Sequence, residues 1–423
     1  MKKYLHIDMQ EKILTKNFIF AFLSLFCSAM VMYMLLGTIT EYAEGMGISV
    51  TIAGLISGIY MFGGLCSRLA SGAILQKLGW KRLAVIAMTI HFLACCCYFL
   101  VDGIGMLILI RFIHGLGFGA SANATMTIGM AILPKSRYGE ATGYFMMATT
   151  LAVAAGPFAG GLVYDSLGPT GCFAMAALLS LLMLVFIVLM DLDGVDPGPR
   201  AGTDTRARAK GTASQSETLA DAQSAPLHNA PQATPKGIDK FLEVKAFPIS
   251  ICVLLCAVGY VSIMSFYRLY AEEVDLTREF TYYFLFYGGF LLATRPLAGK
   301  LQDRFGDHIV CIPGIIAQTI GLILLAWHPC MMTIVLCALG CALGFGTLNS
   351  ACNAIVCRMA GEERRPYAIT TFWLCCDGGV GIGPTILGAI VTAAGFTAMY
   401  YIAALVTLLA LPLYYFSAIR RRV

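Results

Sequence analysis

An acidic residue stands inside one of the most apolar stretches of this chain. Asp377 follows the basic residues Arg364 and Arg365 by about 12 positions, which is roughly 18 Å of α-helix. If this stretch crosses a bilayer, that depth lies near the middle of the hydrocarbon, where ionisable groups are costly and are therefore candidate functional sites. A carboxyl group there suits a proton carrier, or a neighbouring cation holds it ionised. The alternative is a structural aspartate satisfied by hydrogen bonds.

Three arginines lie at comparable positions in other apolar stretches. Arg68 is about ten residues, roughly 15 Å, from the nearest basic loop, Arg295 has the corresponding place in a later stretch, and Arg111 is about nine residues after Asp102. Such side chains can pair with a buried carboxylate. For Arg68 and Arg295 the alternative is that they extend to the lipid headgroups. Glu41 ends the first apolar stretch, so we expect a solvated charge there and treat it as a second candidate for proton coupling.

The elements that must position these groups follow from composition. Of the 423 residues, 58% are hydrophobic and 13% are charged, and the mean hydropathy is +0.77. Soluble domains contain about 45 to 50% apolar residues, so this chain requires lipid as its solvent. Segments that cross must be helices, because lipid offers the backbone no hydrogen-bond partners. Twelve spans of roughly 20 residues are predicted, at about 18–40, 50–75, 82–101, 104–132, 140–164, 171–190, 246–271, 279–301, 308–327, 330–357, 366–393 and 396–416.

Charges between the spans are segregated by sign. Basic residues such as Lys77 and Arg304 occupy every second loop, and others precede the first span and follow the last. The remaining loops are acidic, with Asp102 and Glu272 among their charges and Arg278 as the one basic residue expected there. By the positive-inside bias, both termini and the central loop are cytoplasmic, in a protein of the cytoplasmic membrane. The net charge of +5 therefore reflects orientation in the lipid bilayer and not nucleic-acid binding.

Neither the first span nor the cysteines indicate processing or a metal site. The first span follows a Lys-bearing segment, exceeds the apolar length of a signal peptide and lacks a convincing cleavage site, so we predict a retained helix. The sixteen cysteines lie mostly inside spans and without metal-ligand spacing, which favours free thiols that fill space. His91 and His114 are single histidines on apolar helices, and we interpret them as packed residues rather than proton relays.

The chain repeats one design. Pro157 and Pro384 lie 227 positions apart (384 − 157), and the same shift relates Arg68 to Arg295. Further pairs at this shift are Gly72 with Gly299, Lys77 with Arg304, Gly79 with Gly306, Arg137 with Arg364 and Gly161 with Gly388. A register kept over so long a distance predicts two six-span halves of one orientation, related by an axis along the membrane normal.

The boundaries of the halves follow from the segment between them. Residues 194–240 are rich in Ala, Gly, Pro, Ser and Thr and have no apolar periodicity, so we predict a disordered cytoplasmic linker. Residues 1–193 form the N-terminal six-helix bundle and residues 241–423 the C-terminal one. The fold class is an all-α membrane protein with two pseudo-symmetric bundles.

One predicted span is unusually rich in small residues. It carries Gly156-Pro157 and Gly160-Gly161, and the second half repeats the pattern as Gly383-Pro384. Proline removes a backbone donor and glycine removes side-chain bulk, so the helix should bend there and let another helix approach closely. Such a bend is a candidate pivot for gating. The alternative is a packing face without a moving part.

The loops between spans 2 and 3 and between spans 8 and 9, together with the repeat and the Gly156-Pro157 element, resemble the major facilitator superfamily. The resemblance covers both halves, and the fifth-span motif is similar to that of its drug:proton antiporters, as is Arg111 followed by Gly115 and Gly117. Departures from the family pattern are Gln76, Trp80 and Ala152. The residues that the resemblance assigns to the loop gates are Gly72, Gly79, Gly299, Asp303 and Arg304.

The resemblance implies how the buried charges meet. In this fold, spans 2 and 11 face each other across the two halves, so we hypothesise an ion pair between Arg68 and Asp377 whose protonation loosens one gate. The 227-residue shift relates Arg68 to Arg295 but Asp377 to Thr150, so only one of the two interfaces has a complete pair. For Arg111 the resemblance implies action on a carboxylate or on an anionic substrate group, with a structural ion pair as the alternative.

Spans 1, 4, 7 and 10 line the central cavity in the fold that the chain resembles. Their polar and aromatic residues are the predicted substrate contacts: Tyr33, Asn123, Tyr260, Asn349 and Asn353. Amides that face a wet cavity bind ligands, and amides that face a neighbouring helix hold helices together. Both interpretations stay open here.

These patterns predict a secondary transporter rather than an enzyme. It exchanges protons for a small organic solute by rocking two bundles about a central site, and the resemblance of the Gly156-Pro157 motif to that of drug:proton antiporters implies outward transport. The chain has no GxxxxGK[ST] loop, so an ion gradient rather than ATP should drive it, and no cofactor or metal is expected. A proton-coupled importer is the nearest alternative, and a membrane sensor or enzyme is a remote one. We expect a monomer.

Overall fold

Helices alone make up the regular structure of the chain where it can be described. The computed structural model describes residues 13–134, 138–192 and 242–419, so the predicted linker, the chain ends and the loop residues Lys135 and Arg137 lie outside it. The helices in this part are α1 (Lys16–Gly45), α2 (Val50–Leu78), α3 (Trp80–Cys97), α4 (Ile104–Ala131), α5 (Tyr138–Leu189), α6 (Phe247–Glu273), α7 (Thr277–Phe305), α8 (His308–Trp327), α9 (Met331–Cys341) and α10 (Thr347–Tyr414). Two 3-10 turns and two π-helical turns, at Tyr98–Leu100, Val244–Ala246, Ala342–Gly346 and Tyr415–Ile419, complete the described elements.

The helices are long and apolar enough for a bilayer. Nine segments of the described residues meet both criteria, in agreement with the prediction of an all-helical membrane protein. Two of them are too long for one crossing of roughly 20 residues: Tyr144–Leu189 has 46 residues and Tyr367–Ser417 has 51. The number of these segments is therefore not the number of membrane crossings.

The backbone repeats at the spacing found in the sequence. The two longest helical runs each contain one glycine with positive φ, Gly168 at +66° in α5 and Gly395 at +80° in α10, and the 227-residue shift relates the two. Glycine enters this region without the penalty that a Cβ imposes. Gly79 and Gly306, at the α2–α3 and α7–α8 turns, have φ of +83° and +89° and are related by the same shift. Equivalent turns thus occur in both halves.

The apolar core is continuous between the halves. Its largest cluster centres on α6 and α10 and takes in Tyr60, Phe118 and Val153 from the first half. Every residue of α6 from Gly259 to Ala271 is buried, which is typical of a central helix. All sixteen cysteines are free thiols, and most are buried, as the sequence predicts.

Loop charges distinguish the two ends of the helices. Glu41 near the end of α1 pairs with Arg268 near the end of α6, so the turns after these two helices share one end, which we call the acidic end after residues such as Glu272. α2 and α7 begin at this end, and the Gly79 and Gly306 turns, where they finish, share the other, which we call the basic end after Lys77 and Arg304.

Candidate functional site

The arginine and aspartate that the sequence places deep in separate spans lie side by side. Arg68 Nη1 on α2 is 2.9 Å from Asp377 Oδ2 on α10, so an ion pair connects the two halves. The side chain of Asp377 is 10% exposed and that of Arg68 is 28% exposed. The Arg68 guanidinium also lies over the Trp373 ring, 5.9 Å from its centroid. Arg68 therefore points at the other half and not at the headgroups.

The symmetry-related contact is formed without an acid. Arg295 Nη1 on α7 donates a hydrogen bond of 2.6 Å to Thr150 Oγ1 on α5, again between the halves. Arg295 Nε is buried and has no hydrogen-bond partner among the described residues. Where both side chains are described, no carboxylate lies within ion-pair distance of Arg295. Among the described side chains, none therefore compensates the charge of this arginine.

Aromatic rings lie near these two contacts. Tyr260 stacks on Phe345 with ring centroids 4.4 Å apart and lies 5.6 Å from Tyr287. Tyr33 interacts with Tyr260 and is within electrostatic range of both Arg295 and Asp377. The predicted contacts Tyr33 and Tyr260 are thus brought together between the charged pairs.

The three predicted amides have different surroundings. Asn123 donates to Ser71 Oγ at 2.6 Å, which joins α4 to α2 inside the first half. Asn349 Nδ2 is 3.4 Å from Cys376 Sγ, next to Asp377. Asn353 accepts from Cys357 on its own helix. Asn123 therefore holds helices together, whereas Asn349 is beside the ion pair.

Arg111 is anchored inside the first half. It is buried, its Nε and Nη2 donate to the carbonyls of Ile56 and Ser57, and its guanidinium lies 4.4 Å from the Tyr60 ring centroid. Neither a carboxylate partner nor a structural ion pair is found for Arg111 among the described side chains. Carbonyl groups of α2 therefore take the place that the structural ion pair would give to an acid, and action of Arg111 on an anionic substrate group stays a prediction.

The two histidines belong to a buried polar cluster. His91 Nε2 and His114 Nε2 are 3.0 Å apart, and Cys95 Sγ is 3.4 Å from His114 Nε2, a set that could hold a metal ion. The Nδ1 atoms have hydroxyl partners, Ser180 for His91 and Tyr98 for His114. Because every ring nitrogen has a protein partner, hydrogen bonding accounts for the cluster. The two histidines are packed residues, but they contact each other, which their sequence spacing does not indicate.

A second charged contact between the halves closes the acidic end. Arg268 of α6 forms ion pairs with Glu41 of α1 and, at 2.6 Å, with Asp165 of α5. The side chains of Arg268 and Glu41 are 4% and 13% exposed. The prediction that Glu41 is a solvated rim charge was therefore wrong, because a buried arginine of the other half covers it. We call these three residues the acidic-end ion cluster.

Arg268 is not among the site residues predicted from the sequence, although the sequence contains a signal for it. Glu41 and Arg268 are related by the 227-residue shift and carry opposite charges. Residues at equivalent positions can touch each other only beside the symmetry axis. An acid and a base at matching positions of spans 1 and 7 therefore predict a contact at the axis.

Further contacts tighten the same end. Thr40 Oγ1 donates to the Ser265 carbonyl at 2.6 Å, and the Thr51 and Thr392 hydroxyls are 2.9 Å apart. α2 and α10 touch through their backbones, because a Cβ on Gly58 would lie 2.0 Å from the Gly381 carbonyl oxygen. Where both partners are described, every hydrogen bond or ion pair between the halves lies between the Arg68 level and this end.

The Gly156-Pro157 element forms a packing face in this state. A Cβ on Gly156 would approach Tyr33 Cβ to 2.8 Å, and one on Gly160 would approach Met34 Cγ to 2.8 Å, so α5 rests on α1. Gly161 lies against Arg268, and Gly383 lies against Val261 of α6. No break in backbone dihedrals occurs at Pro157. The element thus lets α5 pack closely on α1, and its role as a pivot remains a prediction.

At the basic end, the described ion pairs stay inside the second half. Arg358 pairs with Asp307, to which Gln302 also donates, and Arg364 pairs with Glu243. Asp307 rather than the predicted Asp303 is the loop acid with a described partner. The side chain of Asp303 and the surroundings of Gly72 lie outside the described residues. A Cβ on Gly299 would meet no atom within 4 Å. The halves are thus joined at the acidic end.

Replacing Gly58 by alanine should loosen this closure. The added Cβ meets a backbone carbonyl that cannot rotate away, so α2 and α10 must separate. We expect amide hydrogen exchange at the acidic ends of α2 and α10 to rise about 10-fold, as local opening becomes easier by on the order of 1.4 kcal/mol. Gly289→Ala, at an open site, is the matched control. Equal protection in both variants would contradict a tight helix contact.

Together these features define a helical membrane protein with buried charges and aromatic rings between its helices. The arrangement is that of a secondary transporter for a small molecule. The family model described as Major Facilitator Superfamily matches residues 21–327 and 249–422, so the chain belongs to the major facilitator superfamily. It is an integral membrane protein, as the sequence predicts.

Individual relatives are distant. An uncharacterized MFS-type transporter of Methanocaldococcus jannaschii is 23% identical over 369 residues, which cover 86% of this chain and 88% of the relative. The MFS-type transporter SLC18B1 of Mus musculus is 28% identical over 183 residues, or 41% of this chain and 40% of the relative. Neither identity is high enough to carry over a substrate.

Solved structures of the same fold are also distant in sequence. The nucleoside transporter NupG has a TM-score of 0.71 at 14% identity, covering 95% of this chain and 98% of that chain. A POT family transporter in complex with a thioalcohol-conjugated peptide has a TM-score of 0.70 at 15% identity, covering 94% of each chain. At these identities the likeness shows the fold alone.

Proposed function

We propose that this transporter exchanges protons for a small organic solute and exports that solute by alternating access. The observation that carries the proposal is the ion pair of Arg68 and Asp377 between the two halves. Ionisable groups at this depth of a membrane are retained for function. A change in the charge of Asp377 alters a contact that only one relative position of the halves can form.

The proposal includes twelve spans. Tyr144–Leu189 and Tyr367–Ser417 each divide into two crossings at the positive-φ glycines Gly168 and Gly395. α7 is not among the nine apolar segments, but its 29 residues are long enough to cross. With these three additions the count reaches twelve, in halves that correspond to residues 1–193 and 241–423.

Proton binding at Asp377 weakens the link between the halves. Ionised Asp377 attracts Arg68 across the interface, and the contact is strong because both groups are largely shielded from water. Protonation neutralises the carboxyl group and leaves only a hydrogen bond from the charged guanidinium to it. The halves can then move apart at this level, which couples proton uptake to the change of state.

The acidic-end ion cluster supplies the opposing restraint. Arg268 contacts Glu41 and Asp165 only when the acidic ends of the bundles meet. In this state the central site is closed toward the acidic end. By the proposed orientation, the basic end faces the cytoplasm. A state closed to the outside is the one in which an exporter loads its solute. The small-residue motif of α5 also favours export.

Everted membrane vesicles test the exchange and its direction. Their lumen is acidified by respiration, and a panel of organic solutes is added outside while a fluorescent dye reports the pH gradient. We expect at least one solute to accumulate in the lumen and to discharge the gradient. Loss of preloaded solute together with protons would instead indicate an importer. Accumulation that ignores the pH gradient would contradict proton coupling.

A further inference from the structure

We infer that the transported solute is an organic anion, a carboxylate with an apolar or aromatic body, whose negative group binds Arg295. This inference rests on the proposed transport function and adds the class of substrate to it. The observation behind it is that, of the two symmetry-related contacts, the one at Arg295 holds a positive charge without a described carboxylate partner.

The two contacts have the same geometry but different charge. Arg68 Nη1 reaches Asp377 at 2.9 Å, and Arg295 Nη1 reaches Thr150 at 2.6 Å. The 227-residue shift that relates the two arginines also relates Thr150 to Asp377. A threonine hydroxyl accepts a hydrogen bond but brings no negative charge. One interface is therefore neutral and the other carries one positive charge.

Arg295 keeps donors that no described residue accepts from. A guanidinium is always charged and has five N–H donors. Its one hydrogen bond to a described side chain goes to Thr150, and its Nε is buried without a partner among the described residues. Arg111, by contrast, donates hydrogen bonds to two backbone carbonyls and lies over the Tyr60 ring. Of these two arginines, Arg295 is the one whose described contacts leave donors for a carboxylate, which can bind a guanidinium in a bidentate manner.

The surroundings of Arg295 fit the remainder of such a solute. Tyr33 and Tyr287 are both within electrostatic range of Arg295, and both interact with Tyr260. Tyr260 in turn stacks on Phe345. These rings offer an apolar surface near Arg295 against which an apolar or aromatic body can pack.

A lipid phosphate is the other anion that could reach an arginine in a membrane protein. The direction of the side chain argues against it. Arg295 bonds Thr150 on the opposite half, so the guanidinium lies at the interface of the bundles and not on the lipid-facing side. We therefore infer a soluble anion, and binding of a lipid at Arg295 is the alternative that the lipid experiment below detects.

Equilibrium binding to purified protein tests the charge of the solute without any proton gradient. Carboxylic acids with alkyl or aryl bodies are each compared with the corresponding primary amide and amine by thermal shift. We expect at least one carboxylate to stabilise the protein in a saturable manner, while its amide and amine do not. Stabilisation confined to amides or amines, or none by any carboxylate, would overturn the inference but leave proton exchange untouched.

Two variants locate the binding group. Arg295→Gln should weaken carboxylate binding roughly 30-fold or more, because a charged bidentate contact is lost. Thr150→Asp should weaken carboxylate binding as strongly, because the new carboxylate pairs with Arg295 as Asp377 pairs with Arg68. The fold should persist, since the symmetry-related contact already holds such a pair. Arg278→Gln, which removes an exposed arginine of the same helix, should bind like the original protein. Carboxylate binding that survives Thr150→Asp would contradict a site at Arg295.

A lipid arm separates the two sources of anion. Phosphatidylglycerol is added to the detergent-purified protein before the carboxylate that stabilised it best. We expect the same midpoint for carboxylate binding with and without this lipid. Competition between the two, abolished in Arg295→Gln, would assign Arg295 to lipid and overturn the inference.

Discussion

Replacing Asp377 by asparagine is expected to lower proton-driven transport at least about 100-fold while solute binding and passive exchange persist. Asparagine has nearly the shape of aspartate and still accepts a hydrogen bond from Arg68, but it neither ionises nor carries a proton. The protein should then resemble the protonated state at all pH values. The measurement is solute flux in proteoliposomes, first with an imposed pH gradient and then as counterflow without one.

Two comparisons make this test specific. Asp102→Asn changes an exposed acid of the acidic end and should leave both fluxes unchanged. Exchanging the pair, with Arg68→Asp and Asp377→Arg in one chain, should restore the inter-half contact without restoring the original proton site. Full proton-driven transport in Asp377→Asn would remove the proposed coupling, whereas equal loss of counterflow would assign Asp377 to solute binding instead.

Replacing Arg268 by glutamine is expected to shift the protein away from the state that is closed at the acidic end. The variant leaves Glu41 facing a neutral group in a largely buried place, and such unpaired charges are strongly disfavoured. Asp165 is about half exposed and contributes little. An effect on the order of 2 kcal/mol corresponds to roughly a 30-fold change in the ratio of the two states.

Hydrogen exchange can measure that shift, because it needs no added cysteine in a protein with sixteen of them. Peptides from the acidic ends of α1 and α6 should exchange faster in Arg268→Gln, and those of the basic end should not. Arg278→Gln removes an exposed charge at the same end and is the matched control. Unchanged protection in Arg268→Gln would show that apolar packing alone holds this end closed. Glu41→Gln together with Arg268→Gln should be less harmful than Arg268→Gln alone, since no buried charge then remains unpaired.

The two predictions concern different steps. Asp377 is proposed to decide when the halves separate near the centre, and Arg268 is proposed to stabilise closure at the acidic end. Because the sites are on different helix pairs, their effects should add in a double variant. A strongly non-additive result would indicate that the ion pair and the acidic-end ion cluster open as one unit.

The sequence by itself determined the helical membrane class, because 58% hydrophobic residues leave no soluble alternative and lipid leaves the backbone no partner outside the helix. It also determined the 227-residue repeat, which reappears in the backbone as paired glycines such as Gly168 and Gly395. The depth of Asp377 within its span was predictable from counting alone. Its pairing with Arg68 was predictable only through the fold that the motifs resemble.

Tertiary structure alone decided which groups meet along the symmetry axis and how each charge is compensated. Arg268 covers Glu41 because spans 1 and 7 face each other at that axis, a fact that no local pattern contains. Arg111 donates to carbonyls, whereas Arg295 Nε has no partner among the described residues, although both arginines are set in similarly apolar sequence. Composition and periodicity report the environment of a whole helix, whereas compensation of a single charge depends on a few atoms contributed by other helices.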